Sequence, residues 1–522
     1  MQTFVGANSS IPDKAVILPD ATQQPVIDFL ANPATHGGAE VQRVDTHAAT
    51  VFLAGPRAIK IKRAVKFPFL DFSTLEKRKA ACEAEIEVNR AYAPGIYRGV
   101  VAITREADGA LAIGGTGEAV EWAVKMARFD SSQTFDHLAE AGKIDGALAD
   151  ALGRVVARAH DIAPVVKDAG FPDALRTIAA QNEEDLVAAH ELFPPAAANA
   201  LVEATRLALN KTRALLVARE SDGLVRRCHG DLHLGNIVLL DGEPVLFDAL
   251  EFDPAFATID VLYDLAFLLM DMIERGLQAQ ANIVFNRYLT QTRRNGDLDA
   301  LAALPLFLSV RAAIRAKVTA ARQDKDKDPA AAQSARDYFA LAGKLLLPRA
   351  PKLIAVGGLS GTGKSLLARS LAADIPPAPG AVWLRSDVER KALFGVAETD
   401  KLPEAAYTRD VTARVYTSLA AKARRVLAAG HSAIVDAVYA DAKERAEIEQ
   451  AAGSTAFHGL FLTADLDVRI ARVGARMGDA SDADAAVARA QERYDLSALA
   501  WHKVDASGTP DETLRRTKKL LT

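Results

Sequence analysis

The octapeptide GLSGTGKS at residues 358–365 limits what this chain can fold into more than any other stretch of it. Gly358, four intervening residues and then Gly363-Lys364-Ser365 reproduce the spacing G-x-x-x-x-G-K-[ST]. The run KLIAVGG before it reads as a strand, and SLLARSLAAD after it as a helix. Glycines at such a junction let the backbone curl so that its N–H groups converge on phosphate oxygens, and the positive end of the helix dipole faces the same point. Ser360, Gly361, Thr362 and Gly363 line that curl. Lys364 would neutralise the β- and γ-phosphates, and the Ser365 hydroxyl would reach Mg2+. Strands are expected again near 381–385, 432–436 and 457–463 with helices between them, which predicts a parallel α/β domain.

The loop arrives two-thirds of the way along 522 residues, a length that predicts two to four structural units. LLPRAP, residues 346–351, reads as the linker ahead of it. Half the residues are hydrophobic and a quarter charged, as in globular domains. From Arg349 onward 25 Lys and Arg face 22 Asp and Glu; before it, 38 face 45. Neither part has the basic excess of a duplex-DNA binder, which leaves a small-molecule acceptor or an RNA end. Cys82 and Cys228 form neither a disulfide framework nor a zinc set. The start MQTFVGANSSIPDK lacks a basic segment followed by an apolar run, so no signal peptide is expected. The most apolar helix candidate, VLYDLAFLLMDMI at 261–273, carries acids at helical spacing and reads as a core helix, not a membrane span. The cytoplasm is the expected compartment.

A second phosphate-handling pattern lies upstream, in CHGDLHLGNIVLLDGEPVLFDALE at 228–251. Asp231 and Asn236 are five residues apart, and Asp248 ends the strand PVLFDALE. A kinase-type site needs one carboxylate to orient the acceptor hydroxyl, with an amide and a second carboxylate to hold Mg2+ on the phosphates. Asp231, Asn236 and Asp248 supply that set. The stretch resembles the aminoglycoside phosphotransferase-like branch of the protein-kinase fold, in which H-G-D replaces H-R-D. Glu251 is a further carboxylate within reach.

That resemblance implies an upstream lysine–glutamate pair. RAIK places Lys60 at the lysine position, with Lys62 on the same face of an alternating strand as the alternative. The helix expected over about 74–93, capped by Ser73 or Thr74, offers Glu83 and Glu85, of which Glu85 is preferred. EWAVKMARF would be the hinge strand, with backbone near Lys125 and Met126 meeting the base. The chain departs from the pattern in one place. VDTHAATVFLAG lacks a glycine-rich phosphate cover, so Thr46, His47 and Ala48 must stand in for it. No A-P-E follows, which favours a small-molecule acceptor. Asp260 and Asp264 read as structural buried acids, His160 as a core residue and His233 as structural.

Past the late loop, LRSDVERKALFG places Asp387 and Arg390 at a strand end and helix start. This D-x-x-R resembles the P-loop kinases that include polynucleotide kinases and related small-molecule kinases. There the aspartate accepts the proton of the attacking hydroxyl and the arginine binds acceptor or phosphate. Asp436 ends another strand and suits Mg2+ or its water shell. DLDVRIARVGARMGDASDADAAV resembles the lid of such kinases, with Arg469, Arg472 and Arg476 on roughly one helical face.

The order of the two modules resembles a family of fused bacterial proteins. The fold class expected is a multidomain chain, α+β and α/β: a bilobal kinase-like fold (1–128 and 129–347) followed by a P-loop parallel α/β domain (348–522). The implied chemistry is transfer of a γ-phosphate from ATP or GTP, with Mg2+, at each site. The alternative is a catalytic P-loop domain with the first module as a nucleotide-binding regulator.

Overall fold

A computed structural model describes residues 16–17, 23–46, 48–67, 70–326, 328–475, 480–494, 496 and 499–521. Packing divides the chain into two units: Met1–Leu277 with Leu306–Leu346, and Gln278–Pro305 with Leu347–Thr522. Residues 278–305 pack with the second unit.

The first unit opens with an antiparallel six-stranded sheet in the order 41–45, 49–54, 57–62, 118–127, 97–105, 111–113. Strand Arg57–Lys62 is covered on both faces, and its alternation sorts two kinds of side chain. Ile59 and Ile61 join Phe52, Ile103 and Ala123 under Val26, Ile27 and Leu30 of helix Gln24–Ala31. Lys60 and Lys62 point to the other face, where helix Leu75–Arg90 lies, N-capped by Thr74, one of the two candidates in the sequence. Two buried cations on one face require acids opposite, and that helix carries one. The hairpin 237–240/243–246 turns through Asp241 and Gly242 at φ +51° and +83°, the pair of positive angles that a two-residue Asp-Gly hairpin loop uses. Two small sheets among the described residues, 16–17 with 65–67 and 70–71, and 225–227 with 258–260, complete the strands, and the other elements are helical. Val261–Glu274 is buried along nearly its whole length, which accounts for its hydropathy. Among the described residues no helix is long and apolar enough to cross a membrane.

The second unit is a five-stranded, all-parallel sheet in the order 382–385, 433–436, 352–358, 456–463, 502–505. The last strand, His502–Asp505, is one the sequence reading did not single out. Ile354, Val356, Ile434, Leu460, Leu462 and Val504 pack against Leu367 and Leu371 of helix Lys364–Ala372. Helix Gln278–Thr292 covers the open edge strand. Asn286 Oδ1 accepts the Trp383 N–H at 2.7 Å, and the amides of Asn282 and Asn286 donate to Ala381 O at 3.2 and 3.1 Å. Gln278 reaches Pro379 O at 2.9 Å. Polar side chains thus stand in for the missing neighbour strand, one way of closing an edge that would otherwise pair with another chain. Ion pairs Arg287–Glu398 and Arg425–Asp299, both 2.6 Å, fix the segment further.

Candidate active sites

In the first unit, Lys60 Nζ sits 2.9 Å from Glu85 Oε1 and 2.8 Å from Asp248 Oδ1. The preferred glutamate is the one found; Glu83 is exposed and faces Lys79. Lys62, weighed as the alternative, is also engaged: it lies 2.5 Å from Glu85 Oε2 and pairs with Glu251. Burial opposes the charge on Lys60, but Asp248 and Glu85 hold its pKa well above the ordinary lysine value. Burial likewise pushes Glu85 up, and the two lysines more than reverse this and keep it ionised. Asn89, one turn beyond Glu85, locks the helix to the metal-side segment: its Oδ1 accepts the Ala249 N–H at 2.7 Å and its amide donates to Ala249 O at 3.2 Å. Asp248 takes a left-handed φ of +59° and donates its N–H to the Tyr97 hydroxyl at 3.1 Å.

Asp231 is buried at the other end of the set. Asn236 donates from its side-chain amide to Asp231 O at 2.9 Å and Oδ2 at 3.2 Å, which leaves the amide oxygen as the atom that can ligate. His233 Nδ1 accepts the Gly235 N–H at 3.1 Å, and its Nε2 lies 3.6 Å from Asp231 Oδ2. Burial pushes the Asp231 carboxyl up, but His233 and, further out, Arg315 outweigh it and hold it down at about 2. The loop is held from behind by Asp264, which accepts the N–H groups of His229 and Gly230 at 3.1 and 3.0 Å and pairs with His160 at 3.1 Å. Asp260 makes a two-pronged pair with Arg219 at 2.6 and 2.8 Å. Both acids are buried, as expected of structural ones. Gly230, at φ +83°, could not carry a side chain: a Cβ would lie 2.8 Å from that of Ala257.

Lys125 and Met126 lie inside the sheet, paired on both sides with Ile59 and Ala58 and with Gly99 and Tyr97. The next amides donate to Ile96 O and Pro56 O. At the turn that replaces a glycine-rich cover, Thr46 Oγ1 accepts the Ala49 N–H at 2.9 Å and Arg63 donates to Thr46 O at 3.0 Å. His47 lies outside the described residues.

In the second unit the phosphate loop has its expected strand and helix. Gly363 caps the helix at φ +92°, and a Cβ there would meet no atom within 4 Å. At Gly361, φ +87°, a Cβ would lie 2.5 Å from Arg469 O. Lys364 Nζ lies 3.3 Å from Leu359 O of its own loop. Asp436 is brought beside Lys364, Arg385 and the Ser365 hydroxyl, with Asp387 close enough to be felt. Burial raises its pKa, and the first three pull it part of the way back. The donor set fits a divalent ion: a hydroxyl and a strand-end carboxylate already in contact. In the first unit the Asn236 amide oxygen and the Asp248 carboxylate are the corresponding oxygen donors, on segments joined by the Phe247 N–H bond to Asn236 O at 3.0 Å.

Arg390 is buried against its own surroundings. It donates to Ala406 O at 2.7 Å and to Thr412 Oγ1 at 3.3 Å, and its guanidinium lies 4.9 Å from the Tyr407 ring centre. Its buried Nε has no hydrogen-bond partner among the described residues. Arg469 is a buried bracket: it donates to Ser360 O at 2.9 Å and Ala488 O at 3.0 Å and pairs with Glu492. Arg472 donates to Ala506 O and Gly508 O, both at 2.8 Å. Arg476 lies outside the described residues. The sequence reading missed Tyr97, Asn89 and Arg315 around the first site. It also missed Gln491, whose Oε1 accepts the Ser360 N–H at 2.7 Å. None of them stands in a motif.

Comparison with known proteins finds two kinase-type family models in succession along the chain. The phosphotransferase enzyme family model matches residues 107–304, and the AAA domain model matches residues 353–495. An uncharacterized protein of Mycobacterium tuberculosis, Rv2004c, is 31% identical over 481 residues, 90% of this chain and 93% of that one. Its Mycobacterium bovis counterpart, Mb2027c, matches equally. Among solved structures, a choline/ethanolamine kinase family protein from Mesorhizobium loti is 16% identical and covers 62% of this chain and 95% of its own, with a TM-score of 0.39. A gluconokinase from Sinorhizobium meliloti 1021 is 21% identical over 33% of this chain and 97% of its own, with a TM-score of 0.25. The chain belongs to the same family as the mycobacterial proteins, and it is a phosphotransferase built from an aminoglycoside-phosphotransferase-like kinase domain and a C-terminal P-loop kinase domain.

Proposed function

We propose that both units transfer the γ-phosphate of ATP or GTP to a hydroxyl, the first through Asp231 and the second through Asp387. One observation carries this reading. Each unit separately contains a lysine in an ion pair or close to a carboxylate, and two different carboxylates that could serve an acceptor and Mg2+: Lys60 with Asp248 and Asp231, and Lys364 with Asp436 and Asp387. Mg2+, when bound, offsets charge on the β- and γ-oxygens; Asn236 with Asp248, and Ser365 with Asp436, are the residues that would hold it. In the first site, Lys60 is kept charged and aimed by Glu85. Asp231, with a pKa of about 2, is a weak base at neutral pH. Its part is to accept a hydrogen bond from the acceptor hydroxyl and point it at phosphorus, which suits a loose transition state that demands little proton removal beforehand. In the second site the loop N–H groups and Lys364 hold the phosphates, and Asp387 receives the hydroxyl. The unpartnered Nε of Arg390 supports a role toward the acceptor or its phosphate. Arg472, Arg476 and Met126 complete the proposed nucleotide contacts.

The acceptors are a small-molecule hydroxyl or an RNA end. The buried free thiols Cys82 and Cys228 suit a reducing compartment, the cytoplasm. The test is transfer of γ-labelled phosphate from ATP and GTP into an extract of metabolites and RNA, comparing the unsubstituted chain with Asp231→Asn and Lys364→Ala. Loss of a different product in each variant is expected. Loss of every product in Lys364→Ala, with Asp231→Asn unaffected, would make the first unit a nucleotide-binding regulator. That second reading draws support from the Thr46 turn, where a glycine-rich cover is missing.

A further inference from the structure

Asp482 belongs to no motif, yet it gathers three donors from three different pieces of the second unit. Its Oδ1 lies 2.9 Å from Lys391 Nζ; its Oδ2 accepts the Leu402 N–H at 3.0 Å and the Tyr407 hydroxyl at 2.6 Å. Lys391 is buried and also donates to Asp400 O at 2.5 Å. It sits next to Arg390 on helix Ser386–Leu393, whose first turn carries Asp387. Tyr407 carries the Arg390 guanidinium against its ring, and the neighbouring Ala406 O takes an Arg390 N–H. Two of the three groups against Arg390, the Ala406 carbonyl and the Tyr407 ring, thus belong to the turn Glu404–Tyr407, which Asp482 holds through the Tyr407 hydroxyl; the third, Thr412 Oγ1, lies on the following helix.

The same stretch of chain grips the phosphate loop. Gln491 accepts the Ser360 N–H, while Arg469 binds Ser360 O together with Ala488 O. Residues 480–493 thus touch the nucleotide side through Gln491 and the acceptor side through Asp482. A carboxylate with a buried cation and two neutral donors on it is a strong, directional anchor.

We propose that Asp482 is a positioning residue for phosphoryl transfer at the second site: acting through Tyr407, it sets the orientation of Arg390 and so the acceptor side, without touching nucleotide. This rests on the kinase reading of that site. The expected signature is a loss in transfer with nucleotide binding unchanged, because the anchored turn lies on the acceptor side only.

The experiment uses the full chain with Asp231→Asn in the background. Three quantities are read for Asp482→Asn, Asp482→Glu and Tyr407→Phe. They are γ-label reaching extract acceptors, the part of ATP binding that Lys364→Ala removes, and amide exchange over residues 396–407. Asp482→Asn and Tyr407→Phe should each cut acceptor labelling tenfold or more, leave that ATP affinity within twofold, and speed exchange at 402–407. Asp482→Glu should recover most of the labelling. Affinity falling in step with labelling, or unchanged exchange at 402–407, would overturn the proposal. If ATP binds at Lys364 but no label reaches an acceptor even with Asp482 intact, the kinase reading of the site fails. Exchange at 402–407 then decides by itself whether Asp482 anchors the turn.

Discussion

Lys60 and Lys364 are offered to the same chemical group, a triphosphate, yet they are held in opposite ways. Lys60 is fixed by carboxylates from a helix 25 residues away and a strand end 188 residues away, inside a cluster that also buries Lys62, Glu85 and Glu251. Lys364 belongs to a loop whose shape comes from its own backbone, and it reaches back to Leu359 O within that loop. The first site is built from charges that need one another, the second from a local fold of the main chain. A charge removed from the first leaves partners buried and unpaired; a charge removed from the second leaves the loop's backbone in place and Asp436 still beside Arg385 and the Ser365 hydroxyl.

The sharpest way to break this contrast is to remove both cations. Lys60→Met and Lys364→Met should each abolish transfer at their own site, but their stabilities should part. Lys60→Met should cost the first unit about 3 kcal/mol, the cost of breaking a buried pair from one side. Lys364→Met should cost the second less than about 1 kcal/mol. Calorimetry of the full chain checks this, and equal losses would end the distinction.

Backbone is the sensitive part of the second site. Gly361→Ala places a Cβ against Arg469 O at a left-handed φ, and about 2 kcal/mol of stability should be lost along with nucleotide binding. Gly363→Ala meets open space and should weaken nucleotide binding with a smaller stability loss. If the two behaved alike in the melt, the bracket from Arg469 would not matter to the loop.

A smaller effect concerns the pH dependence of the second unit. His431 is buried against Phe285, its ring centre 5.6 Å away, and its Nε2 bonds Gly380 O at 2.9 Å. Burial holds its pKa down at about 4, the Gly380 carbonyl reversing only a little of this. The folded value lies below the unfolded one, so the unfolded chain takes up the proton first. This stability is fully present above about pH 6.5 and is lost as pH falls toward 4. Near pH 5.5 the loss should be about 1 kcal/mol. His431→Phe should flatten that slope in the second unit's transition, and an unchanged slope would assign the acid sensitivity to other groups.

Much of both sites could be read from residues standing in a row. GLSGTGKS dictates its strand, curl and helix because neighbours in sequence settle each peptide's angles and hydrogen bonds. HGDLHLGN places Asp231 and Asn236 on one tight turn for the same reason, and the alternation of RAIKIK put both lysines on one face. Partner choice across long separations was less legible. Lys62 appeared as an alternative to Lys60, whereas the fold uses both, because Glu85 has two oxygens and Glu251 comes to the second lysine. Arg469 and Arg472 read as one face of a lid helix. In the structure each finds backbone carbonyls first, at Ser360 and Ala488 and at Ala506 and Gly508.

What the sequence by itself determined is the pair of phosphate-handling motifs, their order and the kind of sheet each requires. Those features are local in the chain, so short-range sterics and hydrogen bonding suffice to specify them. Only the tertiary structure decided that residues 278–305 close the edge of the P-loop sheet, that Asn89 and Tyr97 hold the segment bearing Asp248, and that Asp482 collects Lys391, Leu402 and Tyr407. An asparagine or an aspartate has many possible partners. Which buried donor or acceptor it must satisfy is fixed only when packing has brought that group within about 3 Å and removed the water that would otherwise serve.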